Sequence, residues 1–342
     1  MWIFYIIAAV SIIVFLIVKA RFWVRQPVRL WWTFPKKNKI EGAPPTKYLD
    51  HANVRSYVHE SVPDAETKAL VDYLRTQTND LYYPNTEYIL AYFVGAYISV
   101  YGEYEGSIVS RPVDVRVDNK KYRGFFHETM TSDQTDVSRR LVSTHGFNLA
   151  KKYPEAPTLF CTTYPLLFVL PALHYEVRWV QTLFFRKHRM PGTAFLKITD
   201  KNVVIAIEWW KAHPFGFQMV PTIAQTVSWL QSKTASIYFV VHHGQTVGCF
   251  YFKKTLMLEK NEEVIDCCGA TFPFPDKREL MFNAFSTLMY RFRRTNSILR
   301  LHLVSNLTLI PYIPYFKKTT LNYYFYRYTG FAKGNPSDCL VF

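Results

Sequence analysis

Residues 132 to 136, Ser-Asp-Gln-Thr-Asp, form a polar loop that runs into a helical pattern. Val137, Leu141, Val142, Phe147 and Leu149 give the helix its apolar stripe, and Asp136 is the N-cap that the spacing predicts. A loop entering a helix is a natural anion site, because unpaired backbone N–H groups and the helix dipole both favour negative charge there. This loop, made of Ser132, Asp133, Gln134, Thr135 and Asp136, supplies its own carboxylates instead. A phosphate held there would face like charges, and one such pair at roughly 4 Å costs about 4 kcal/mol at an effective dielectric of about 20. Arg139 and Arg140 follow, one turn inside the helix and past its open N–H groups. Taken alone, the segment reads as an ordinary capped helix that binds nothing.

Other chemically able residues are scattered. His127, Glu128 and His145 are acid–base types, but at this spacing they read as hydrogen-bonded or exposed residues. His242 and His243 fall on a hairpin turn before Gly244. Cys267 and Cys268 have no nearby His or Cys to complete a metal site, so no metal is expected. Five cysteines, an odd number with one adjacent pair, point to free thiols in a reducing compartment. The sequence contains no glycine-rich nucleotide loop, no GxSxG elbow, no HExxH and no recognisable catalytic triad.

The elements that must position these groups follow from periodicity. Helices are predicted over 64–78, 85–93, 137–152, 221–232 and 277–294. Strand-like runs lie between them, including "SRPVDVRV", "GFFHETM", "TLFCTTY" and the hairpin "SIYFVVHHGQTVGCFYF". Helix, hairpin, strand, helix, strand, strand occurs twice. That order predicts an α/β fold with a mixed sheet, built from two tandem acetyltransferase-type (GNAT-like) halves joined in one saddle. The expected divisions are an anchor over 1–24, an extended arm over 25–60, and halves over 61–192 and 193–342.

The chain has 342 residues and a formal net charge of +15, but its Lys and Arg are dispersed rather than massed, so nucleic acid is not expected as a partner. A membrane fits better. Residues 2 to 18, "WIFYIIAAVSIIVFLIV", carry no charge. As a helix they rise roughly 25 Å, and flanking Lys19, Arg21, Phe22 and Trp23 are suited to extend the span to the interface. Lys19, Arg21, Arg25 and Arg29 follow the run instead of preceding it, which predicts a retained single-pass anchor with a cytoplasmic domain.

Several segments resemble eukaryotic N-myristoyltransferases in order and spacing: "FWVRQPV", "YYPNTEYILAYF", "SRPVDVRV", "KTASIYFVVHHGQTVGCFYF", "ILRLHLVSNLTLI", "LNYYFYRYTG" and the ending "DCLVF". The resemblance implies transfer of a myristoyl chain from coenzyme A to an N-terminal glycine. It places the oxyanion-hole N–H groups at Phe125 and Phe126, the acyl-CoA phosphate loop at 132–136 with Arg139 and Arg140, and the base at the terminal carboxylate of Phe342. Gly124 stands where that family has Asn, and acidic or neutral residues replace the basic phosphate loop. The implied protein is therefore an N-myristoyltransferase-like pseudoenzyme on a membrane, serving as a scaffold or binding module, with a virion membrane as one expected setting. The alternatives are an active N-acyltransferase using myristoyl-CoA and a receptor for N-terminal peptides or lipid tails.

Overall fold

The computed structural model describes residues 2–31, 39–40, 44, 46–61, 64–77, 86–117, 119–132, 134–259, 262–293, 298–329 and 333–342. Helix α1 (Trp2–Val24) opens the chain, followed by β1 (Lys39–Ile40), β2 (Val54–Val58), α2 (Asp64–Thr76), α3 (Thr86–Phe93), β3 (Tyr97–Tyr101), β4 (Gly106–Val117), β5 (Lys120–Ser132), α4 (Thr135–Lys152) and β6 (Thr158–Thr162). Then come β7 (Leu173–Gln181), β8 (Thr193–Lys197), α5 (Val203–Ala212), β9 (Phe217–Pro221), α6 (Ile223–Gln231), β10 (Ala235–His242), β11 (Gln245–Glu259) and β12 (Glu262–Thr271). Helix α7 (Arg278–Phe292), β13 (Ile298–His302), β14 (Lys317–Tyr326), β15 (Tyr328–Thr329) and β16 (Cys339–Val341) complete it.

One large mixed sheet runs in the order β16-β9-β4-β5-β6-β14-β7-β13-β12-β11-β10-β8. Strand β3 pairs with the first half of β4 and carries β2 beside it. Strands β3, β9, β12, β13 and β16 are mostly buried, β7 alternates along its length and β8 is largely exposed. Two strands from late in the chain complete the first half: β14 lies against β6, and β16 runs parallel to β9. One core cluster joins Leu70, Phe93 and Val100 to Trp229, Phe239 and Tyr251, so the two halves share their interior.

Strand β5 meets β6 in parallel over Phe125, Phe126 and His127. Gly124 explains how they come so close: a Cβ there would lie 2.6 Å from the Pro157 carbonyl oxygen. Backbone cannot yield like a flexible side chain, so Gly124→Ala is expected to cost about 1–3 kcal/mol. An unchanged denaturant midpoint for that variant would mean the two strands separate freely.

One sequence expectation needs correction. Helix α4 starts at Thr135 with Gln134 as its N-cap, whose side chain makes no capping bond. Asp136 therefore sits inside the first turn, where its charge still favours the dipole, and is not the cap. The expected anchor falls on α1. The exposed part of α1 runs from Trp2 to Val18, while Ala20 and Phe22 are buried. Among the described residues, no helix is long and apolar enough to cross a membrane. Phe22 packs edge-on against Tyr48 and Trp23 stacks on Phe160 at 5.3 Å, so the rings expected to lengthen the span are docked on the domain. The following chain is tied down by Tyr326, whose hydroxyl donates to Gln26 Oε1 at 2.7 Å, and by bridges Val28–Tyr326 and Leu30–Val169.

Candidate functional site

After His127 and Phe160 the strands β5 and β6 part: β5 stays with β4 and β6 with β14. At the same level β5 carries a β-bulge. Val109 faces Thr129 and Ser110 faces His127, so Glu128 is the extra residue with no partner in the ladder. Bulges bend a strand and re-aim a side chain. Here the bulge turns Glu128 toward a cavity of about 440 Å³ that lies between the halves and also reaches both arms of the gap, at Thr129–Thr131 and Cys161. That volume falls in the ordinary range for small-ligand sites.

The cavity holds two charged groupings. In the first, Glu128 accepts from Arg111 Nε at 2.6 Å and from Lys253 Nζ at 3.0 Å. Burial pushes the Glu128 carboxyl up, but Lys253 and Arg111 outweigh it and hold it at about 2. Arg111 is fully buried, and its guanidinium lies 5.0 Å from the Trp229 ring and 5.2 Å from Phe126. Its Nη2 donates to the main-chain oxygen of Phe342 at 3.3 Å. Its Nη1 is buried with no hydrogen-bond partner among the described residues. Lys253 also sits 4.8 Å from the Tyr92 ring centre.

In the second grouping, Asp266 Oδ1 is 3.3 Å from Arg300 Nε and 3.2 Å from His302 Nε2. The opposite nitrogen of His302 meets the Tyr175 hydroxyl at 3.0 Å, and that hydroxyl donates to Tyr323 at 3.3 Å. Burial raises the Asp266 carboxyl, yet Arg300 and His302 bring it below the usual range. Burial holds His302 below its ordinary value despite Asp266, so the imidazole is neutral at pH 7.

The residues singled out in the sequence are spread around this cavity. The Phe125 N–H donates to the Pro157 carbonyl at 2.9 Å, so it is spent on the strand contact. Phe126 lines the cavity, directly across from Arg111 in the β4–β5 register. The break in the ladder that such a donor site needs lies beyond both, at Glu128. Phe342 is buried against Trp210, Trp229 and Tyr251, its N–H donates to Met219, and it lines the cavity. At the loop, Ser132 Oγ donates to the Gln134 carbonyl and accepts from its N–H, and Thr135 and Asp136 are exposed. Asp133 lies outside the described residues. Arg140 is held by Asp136 at 2.8 Å and by Asp50 at 3.1 Å; Arg139 is half-buried on the same helix.

His127 and His145 do come together. Their rings lie edge to face at 5.1 Å, and Ser110 Oγ is within hydrogen-bond reach of both. Ser99 Oγ meets the far nitrogen of His145 at 2.8 Å. Burial pushes His127 down to about 4 and His145 well below its ordinary value, the neighbouring His127 adding to the latter. This network faces α4 and does not line the cavity.

Sequence reading missed Arg111, Lys253, Asp266, Arg300 and His302. The signal was a charge inside an otherwise apolar strand, as in "VIDCC" and "LRLHL", where such a residue stays buried only with a partner. Among the described residues, no grouping of three His, Cys, Asp or Glu side chains is placed to hold a metal ion.

No protein-family profile matches the chain, and no curated protein matches it. Solved structures do. A Saccharomyces cerevisiae N-myristoyltransferase with bound myristoyl-CoA and inhibitors is similar with a TM-score of 0.71 at 11% identity, over 94% of this chain and 93% of that one. A second structure of that enzyme with bound myristoyl-CoA gives 0.69 at 11% identity, over 94% and 91%. A probable N-acyltransferase from Enterococcus faecalis gives 0.51 at 9% identity, over 80% and 71%. At such identities the likeness concerns architecture alone: this chain has an N-myristoyltransferase-like fold built on one large mixed sheet.

Proposed function

We propose that the protein is a membrane-associated binding module with an acyltransferase-like fold, which receives a polypeptide N-terminus in its central cavity and does not carry out ordinary acyl transfer from coenzyme A. The observation that carries this reading is the Arg111–Glu128–Lys253 grouping. Transfer to an amine needs a base whose pKa approaches that of the amine, near 8. Glu128, held at about 2, is a poor proton acceptor. Phe342, where the resemblance places the base, has its main-chain oxygen held by Arg111. The phosphate end is equally unsuited, since Asp136 is at the helix start and Arg140 already serves two carboxylates. Binding is favoured by what remains open. Arg111 Nη1 is a buried donor awaiting an oxygen, and Asp266 offers an acceptor to an amine.

Titration calorimetry with myristoyl-CoA, alongside a transfer assay on a glycine-initiated peptide, tests this. The expected result is no saturable micromolar binding of the thioester and no transfer. Micromolar affinity with turnover would replace this reading by the active-enzyme one. That second reading has its own support in the open gap at the Glu128 bulge.

The membrane enters through α1. Its exposed apolar side chains include Trp2, Phe4, Ile6, Ile13 and Val18. Burying such side chains in lipid is worth roughly 1.5–3 kcal/mol each when complete. The full chain is expected to float with neutral phosphatidylcholine vesicles, and Ile6→Glu with Ile13→Glu to stay in solution. Flotation of that variant at the wild-type level would remove α1 as the attachment.

A further inference from the structure

A second pocket, of about 360 Å³, lies over the sheet where β4, β5 and β9 meet beneath α5. It shares no lining residue with the central cavity. Its floor is set by register. Arg116 pairs directly with Lys121, and Asp114 with Arg123, so these four side chains stand on one face of the sheet. Lys211 reaches in from α5, and Trp210 and Ile207 form an apolar wall. Four cations thus face one carboxylate. Arg116 Nη2 donates to Asn119 at 2.8 Å, but its Nε is buried without a hydrogen-bond partner. Among the described residues, no ion pair within 4 Å includes Arg116, Lys121, Arg123 or Lys211, and Asp114 opposite Arg123 offsets one charge of the four.

Like charges directly opposite on neighbouring strands destabilise a sheet. The largely buried Arg111 and Arg300 each face a carboxylate, whereas here Arg116 is half-buried and Lys121, Arg123 and Lys211 are exposed. An uncompensated like-charge pair at the floor of a concave, partly apolar pocket is what a bound anion would relieve. We propose that this pocket binds a phosphate-bearing ligand, with the phosphate between Arg116, Lys121 and Arg123 and an apolar or ring portion against Trp210. The guanidinium pair supplies forked donors suited to phosphate, and Lys121 and Lys211 add point charge. A soluble phosphate ester and a phospholipid headgroup share this chemistry.

Inorganic pyrophosphate titrated into the full-length protein is the first probe. Saturable binding is expected, weakened about tenfold or more by Arg116→Gln and again by Arg123→Gln, because each removes charged hydrogen bonds. Lys211→Glu, on the exposed helix surface, is the second variant and should weaken binding without touching the sheet. The ligand-free Arg116→Gln protein should unfold at a higher midpoint than wild type, whereas a purely structural arginine would leave it lower. Vesicles of phosphatidylcholine with and without a phosphoinositide separate the sources. A preference for phosphoinositide vesicles lost in Lys211→Glu assigns a headgroup, and its absence beside pyrophosphate binding assigns a soluble ester. Absence of saturable pyrophosphate binding, or binding unchanged in both Arg116→Gln and Lys211→Glu, overturns the proposal.

Discussion

Glu128→Ala is expected to lower the unfolding free energy by about 3–5 kcal/mol, the usual cost of removing one partner from a buried ion pair. The size follows from what stays behind. Arg111 is 1% exposed and would keep only the Phe342 oxygen and two aromatic faces. Lys253, 15% exposed at its side chain, would lose its one short ion pair. Both cations would then be buried together with no carboxylate in direct contact on β5, the remaining negative groups being Asp266 and the Phe342 oxygen. The double replacement Arg111→Met with Glu128→Leu should recover much of the loss, since apolar isosteres of a buried pair are often neutral or stabilising. Urea unfolding of the two singles and the double separates these terms. A loss under about 1 kcal/mol for Glu128→Ala would show that the grouping is solvated and the cavity wet.

The second large effect is with acid. His127 and His145 are neutral when folded because burial disfavours their charged forms. The unfolded chain protonates them near 6.5, so below that pH it binds more protons than the folded protein. Stability must therefore fall as pH falls from 6.5 toward the folded value, about 4 for His127. The His127 imidazole contributes a loss of about 2 kcal/mol between roughly pH 6.5 and pH 5, and His145 adds a loss of the same sign. Glu128 acts later, because its depressed folded value confines its contribution to the window from 4.5 down to about 2. Denaturant midpoints taken across the first window test the histidines. His145→Gln, which can still hydrogen-bond with Ser99 and Ser110, should flatten the slope by one proton. A flat wild-type profile would mean both rings are already charged in the fold.

Much of the architecture was legible from period and order. The helix at 278–292 and the hairpin about His243 and Gly244 follow from spacing and turn chemistry, both turn residues having positive φ. Helix α5 was not legible. Its sequence, VVIAIEWWKA, is rich in β-branched and aromatic residues, and tertiary packing of Val203, Ala206 and Trp210 overrides that preference. The Asp136 cap was misread because propensity favours Asp at a cap, whereas Ser132 organises the loop through Gln134 and the helix begins two residues earlier. The cavity could not be read at all. Arg111, Lys253 and His302 are far apart in sequence, and only strand order brings them to one face. The bulge at Glu128 had no local marker, being the result of pairing register.

The position of β14 bears on how the protein comes into being. This strand, made of residues 317–326, fills the space between β6 and β7, and its Tyr326 fastens Gln26 across 300 residues of chain. A nascent chain that has emitted its first two hundred residues cannot close its sheet, because β6 still lacks a neighbour on one side. During synthesis that open edge and the apolar α1 are exposed together for most of the elongation time, at about 5–20 residues per second. Such contacts, distant in sequence, make for slow closure and a long interval in which strand edges can pair wrongly. Early capture of α1, by lipid or by a chaperone during translation, would hold the first half apart from its copies until the last strands arrive.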